Sequence, residues 1–278
     1  MRAIQPARLT SAPLTAAALS DQPNSIQRWL KPLLDVAEHS DYLIGGSVGQ
    51  LRLGQKLFQI PRFVFMGPTG GGDTIRLAIF AGFHGDESEG AEALIEFLQD
   101  LDAAPQVARG YHIYAYPLCN PNGFVARKRG NAVGKNLIGQ FWNGSSQSEA
   151  YYLERELGVQ HFHGVISLQT MNHSGGFLVT TQSPILNHAL AQPAMQATQR
   201  FLPGLVNGEP LASLLAALPS AAMPDFLTVT DELRPVPFEL HIGIPKQAPR
   251  PSQVHGTVGA LKSILDSYRT LLSIGENL

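Results

Sequence analysis

The residues with the clearest chemistry stand together in Phe83-His84-Gly85-Asp86-Glu87-Ser88-Glu89-Gly90. An imidazole nitrogen and a carboxylate oxygen are both zinc donors. Three residues apart across a glycine-containing turn, His84 and Glu87 can converge on one ion. Without an ion, His84 is an ordinary loop histidine and Glu87 an acid favoured in the first turn of a helix. The segment follows a continuous apolar run at 75–81 and precedes a helical pattern. It therefore sits at the carboxyl end of a buried strand, where open α/β sheets take their ligands.

Two further stretches could act with it. Asn120-Pro121-Asn122-Gly123 is turn chemistry, and Arg127-Lys128-Arg129 follows within a long loop that also carries Asn131, Lys135 and Asn136. A guanidinium on this rim could polarise a carbonyl and steady an oxyanion; the plain alternative is a solvated basic loop. Late in the chain, Pro237-Phe238-Glu239-Leu240-His241 sets a carboxylate inside an apolar strand. That is costly unless the group is paired or working. Beside a metal, Glu239 could act as a general base; at a sheet edge it would only face water.

The elements that must position these groups follow from periodicity. Asn24 or Ser25 can cap a helix running to about residue 37, with Ile26, Trp29, Leu30, Leu33 and Leu34 on one face. Residues 42–44, 49–53 and 57–65 are extended segments, and 45–49 reads as a turn between them. Residues 75–81 form a central strand, 86–101 a helix and 111–117 a second strand, which is a βαβ unit. A strand at 165–168, a helix at 185–200, a strand at 236–242 and an amphipathic helix at 254–274 complete the chain. The reading is a small N-terminal arm over 1–24 and one α/β domain over 25–278, with a mixed, mostly parallel sheet flanked by helices on both faces.

His-x-x-Glu, Asn-Pro-x-Gly with a following arginine, and a late Phe-Glu-Leu occur in that order. In this the chain resembles the zinc carboxypeptidase family, with its aspartoacylase and succinylglutamate desuccinylase relatives, from about residue 43 onward. The resemblance implies one zinc ion held by His84 and Glu87, Arg129 as the oxyanion-stabilising arginine and Glu239 as the general base. It also implies the same mixed, mostly parallel sheet, and hydrolysis of a peptide or N-acyl amide bond by metal-activated water.

Two positions depart from the family pattern. The third zinc ligand of the family is a histidine ending a short strand, and Gln169 matches that position. An amide oxygen is a poorer donor than imidazole, so Gln169, the nearby His173 or water would complete the site. The family also grips a substrate carboxylate with an Asn-Arg pair, and here Ile138 and Gly139 stand in its place. Arg127, Lys128 or Lys135 could substitute, and Asn131, Lys135 and Asn136 are the substrate-binding candidates. These departures support an alternative: a degenerate, non-catalytic protein of the same fold that binds peptides or cell-wall fragments.

Composition sets the remaining bounds. The 278 residues carry 20 Lys plus Arg against 22 Asp plus Glu, for a net charge of −2, so the basic excess of a nucleic-acid binder is missing. No apolar run is long enough to span a membrane, and no signal sequence is expected at the N-terminus. The single cysteine, Cys119, excludes an intrachain disulfide and suits a cytoplasmic protein. Gly45-Gly46-Ser47-Val48-Gly49 fits the serine-hydrolase pattern G-x-S-x-G, but a strand-like rather than helical pattern follows it.

Overall fold

The computed structural model describes residues 23–53, 55–144, 148–172, 176–202, 227–228, 230 and 233–275. Most of the expected N-terminal arm, and His173, lie outside them. Helix α1 (Asn24–His39) buries Ile26, Leu30 and Leu33 on the stripe that their spacing predicts. Strands β1 (Leu43–Leu53) and β2 (Lys56–Met66) form an antiparallel pair.

Residues 45–49, read from sequence as a turn, lie inside β1. The register shifts between Ser47, which faces Pro61, and Gly49. Proline cannot donate to the ladder, so a bulge opposite it leaves the rest of the pairing intact. The Ser47 hydroxyl donates to the carbonyls of Gly49 and Ile60 (2.9 and 3.2 Å), which leaves no nucleophile elbow here.

β3 (Ile75–Phe80), α2 (Glu89–Ala103) and β4 (Tyr111–Tyr116) are the expected βαβ unit. Then come α3 (Pro121–Ala126), α4 (Glu149–Gln160), β5 (Gly164–Met171) and β6 (Leu178–Thr180). A helical stretch with one π turn (Asn187–Ala191) leads into α5 (Gln192–Thr198). β7 (Phe238–Pro245) and α6 (Arg250–Gly275) close the fold. The seven-stranded sheet has the order β1-β2-β4-β3-β5-β7-β6. Its four central strands, β4, β3, β5 and β7, are parallel, and β1, β2 and β6 add antiparallel edges.

Alternation along the central strands divides the core in two. Leu77, Ile79, Ile166, Leu168, Leu240 and Ile242 pack with α1, α2 and α6. Ala78, Phe80, Tyr116 and Val165 face the other way, against Leu153 and Leu157 of α4. Both faces are thus covered, and ligands can enter only at the sheet's ends or edges. Among the described residues, no helix is long and apolar enough to cross a membrane.

Candidate metal centre

Helix α2 begins at Glu89, three residues later than its periodicity suggests. Residues 84–87 instead form a tight turn, closed by the Glu87 N–H on the His84 carbonyl (3.1 Å). Glu87 is therefore not a first-turn acid, and its side chain reaches back to His84. The Nδ1 of His84 lies 3.1 Å from Glu87 Oε2, and both residues are buried.

The Asn-Pro-Asn-Gly stretch holds this turn in place. The Asn120 amide donates to the Phe83 carbonyl (3.1 Å) while its oxygen accepts from the Gly123 N–H (2.8 Å), capping α3. A Cβ on Gly85 would stand 1.9 Å from the Gly123 carbonyl carbon, so the two backbones touch only because residue 85 is glycine. Sequence reasoning gave Asn120 and Gly123 turn chemistry but no support of the ligand turn; the signal for it was the cap residue immediately before Pro121. Asn120→Ala is expected to cost about 2 kcal/mol in urea unfolding, because it leaves a buried carbonyl unpaired and removes a cap. An unchanged midpoint would refute that support.

The structure brings further candidates to the pair. Arg129 Nη1 donates to Glu87 Oε1 (2.5 Å), and the Thr170 N–H donates to Glu87 Oε2 (3.2 Å). The Asn136 Oδ1 lies 3.2 Å from His84 Nε2. Burial pushes the Glu87 carboxyl upward, but the hydrogen bond and charge of His84, the Arg129 guanidinium and the Thr170 N–H outweigh it. The carboxyl is thereby held below the usual carboxylate range and is ionised at neutral pH. Thr170 follows Gln169 on β5, so that strand reaches the same rim.

Other candidates stand apart from the pair. The Asn131 oxygen accepts from the Val133 and Lys135 N–H groups (3.2 and 3.1 Å), and these bonds shape the loop. Lys135 is exposed, as are Arg127 and Lys128. Ile138 is buried, and a Cβ on Gly139 would meet nothing.

Glu239 is not brought to this cluster. It pairs across the sheet with Val165, whereas Gln169 pairs with Gly243, four residues or about 13 Å further along β7. Its carboxylate accepts from the Leu227 N–H (2.7 Å), the Thr228 N–H (2.8 Å) and the Thr228 hydroxyl (2.7 Å). Strand register, invisible in the local Phe-Glu-Leu motif, decides this placement.

Burial raises the Glu239 carboxyl above its usual range against those three donors. The folded state therefore binds a proton more readily than the unfolded chain, and this contribution to stability weakens as pH rises above about 4.5. Glu239→Gln does not titrate. The parent is expected to gain stability relative to that variant as pH falls toward 4.5, read by urea melts across pH. A pH-independent difference would contradict the assignment.

Two tetrahedral zinc ligands at about 2.0–2.2 Å lie roughly 3.3–3.5 Å apart. The 3.1 Å between His84 Nδ1 and Glu87 Oε2 is close to that. One imidazole nitrogen and one ionised carboxylate also suit the ion chemically. Among the described residues, no three His, Cys, Asp or Glu side chains already stand together as a ready-made site.

The family profile of the succinylglutamate desuccinylase/aspartoacylase catalytic domain matches residues 73–164, about a third of the chain. That span includes His84, Glu87, Asn120, Arg129 and Asn136. No curated protein matches the sequence.

Among solved structures, a candidate metallopeptidase of Shewanella denitrificans is 19% identical, with a TM-score of 0.63 over 95% of this chain and 98% of its own. A metallo-carboxypeptidase from Burkholderia cenocepacia is 15% identical, with a TM-score of 0.67 over 90% and 70%. A succinylglutamate desuccinylase/aspartoacylase from Rhodobacter sphaeroides is 17% identical, with a TM-score of 0.52 over 82% and 66%. These likenesses establish the fold. Over residues 73–164, which include the His-x-x-Glu turn at the end of its central strand, the chain is similar to the succinylglutamate desuccinylase/aspartoacylase catalytic domain, and its fold is that of the metallo-carboxypeptidases.

Proposed function

We propose that this chain is a zinc-dependent hydrolase of peptide or N-acyl amide bonds. The observation that supports it best is the buried His84–Glu87 pair, spaced like two ligands of one ion beyond the carboxyl end of β3. His84 and Glu87 would hold the zinc, with Gln169 as the third ligand that the family pattern marks. Bound there, zinc would lower the pKa of a coordinated water and polarise the scissile carbonyl.

The chain's own residues would do the rest. Glu87 is kept ionised by its neighbours and ready to bind a cation. The Arg129 side chain is 58% exposed, so its guanidinium can swing from Glu87 to a substrate oxyanion at small cost. Asn136, against His84, would orient the ring and meet the substrate. Lys135, with Arg127 and Lys128, would offer positive charge to an acidic end of the substrate. Asn131 shapes the loop that carries them.

The test is zinc content followed by turnover. Purified protein is expected to carry about one zinc per chain and to hydrolyse members of a small-peptide and N-acyl-amino-acid panel. Chelation should abolish that activity and added zinc restore it. Activity that survived complete chelation would end the proposal.

A second reading, binding without turnover, is favoured by the placement of Glu239. The β7 residue level with Gln169 is Gly243, and the Glu239 carboxylate is engaged by Leu227 and Thr228. Zinc uptake with no hydrolysis across the panel would select this reading.

A further inference from the structure

The weak point of the proposed centre is its third position, where a neutral amide stands in for a nitrogen donor. Gln169 does not stand alone. Its Nε2 is placed 3.4 Å from Nδ1 of His241, one strand over on β7. His241 lies level with Ser167 across the sheet, and Ser167 is level with Phe80 at the end of β3, the strand that leads to His84. Topology therefore sets a second imidazole within one side chain of the third position.

The ring is held in an unusual way. Its Nδ1 lies 3.1 Å from the Ser167 hydroxyl, while its Nε2 is buried without a partner among the described residues. The whole residue is 1% exposed. A buried ring nitrogen without a partner costs stability, and native proteins leave few such groups unless they have a use. One nitrogen fixed by an outer hydrogen bond and the other bare is how metal-bound histidines are presented. Nδ1–H donating to Ser167 would leave the Nε2 lone pair free for an ion. With its amide turned, Gln169 would offer an oxygen to the same Nδ1–H.

We propose that His241 Nε2 supplies the nitrogen donor that position 169 lacks, so that zinc is held by His84, Glu87 and His241, with Ser167 and Gln169 as supports of the ring. This rests on the zinc-centre reading above. It requires the His241 ring to close on the His84–Glu87 pair as the ion enters.

The experiment is titration of the full chain with zinc alone by calorimetry, joined to X-ray absorption of the loaded protein. The parent is expected to bind one zinc with two imidazole ligands. His84→Ala should abolish binding. His241→Asn, which fills much of the ring's volume, should weaken binding more than about 100-fold and leave one imidazole; circular dichroism checks that it folds. His241→Ala, checked in the same way, should behave alike and serves if the Asn variant does not fold. Gln169→Ala should lose less affinity than either.

Undiminished affinity, or two imidazoles retained, in a folded His241 variant would overturn the proposal, because His173 or another residue would then hold the position. A parent that bound no zinc would overturn the zinc-centre reading itself. Loss on His84→Ala but not on His241→Asn separates the two failures.

Discussion

Glu87→Gln is expected to reduce zinc affinity at least about 1000-fold, roughly 4 kcal/mol, while leaving the fold almost untouched. The carboxylate is the one negative donor at the proposed centre, and His84, Arg129 and Thr170 all keep it ionised. Glutamine matches its size and keeps an acceptor for the Thr170 N–H, but it has no charge to offer a cation. Arg129 would lose its partner, yet its side chain is more than half exposed and can rehydrate. The stability change should therefore stay under about 1 kcal/mol. Calorimetric titration with zinc and a thermal melt of the same sample check both halves. Tight binding retained by a folded variant would remove Glu87 from the centre.

Gly85→Ala is expected to be strongly damaging. The new Cβ would meet backbone, not a flexible side-chain end: the Gly123 carbonyl carbon at 1.9 Å, its oxygen at 2.2 Å and the Phe124 nitrogen at 2.3 Å. Neither segment can give way cheaply, because Asn120 ties both of them, through the Phe83 carbonyl and the Gly123 N–H. Overpacking of this kind costs about 3 kcal/mol or more. The resulting shift would part His84 from Glu87, so zinc uptake should fall together with the urea midpoint. Gly139→Ala, in open space on the long loop that carries Arg129 and Asn136, is the control and should change neither. A Gly85→Ala protein of parental stability and zinc affinity would show that the contact between turn and α3 does not position the site.

Much of the candidate site was legible as pattern. His84 and Glu87 announce themselves by donor type, by spacing and by their place between an apolar run and a helical period, all of which are local properties. The sheet was legible for the same reason: 75–81 and 111–117 read as strands, and β3 and β4 form there. The turn assigned to 45–49 failed because glycine content signals a break, whereas pairing with β2 absorbs those glycines into one long strand through a bulge opposite Pro61.

What the sequence by itself determined, then, is the chemistry on offer: an imidazole and a carboxylate three apart, a basic loop, and the order of strands and helices that sets them on a sheet. Tertiary structure alone decided which distant residues share the site. Register between β5 and β7 carries Glu239 about 13 Å from the level of Gln169 and sets His241 beside Ser167 and Gln169. The backbone contact of Gly85 with Gly123 makes a remote turn into the support of the ligand pair. The physical reason is that periodicity and propensity are encoded over a few neighbouring residues. Register and close approach between strands and loops are instead settled by packing across the whole sheet.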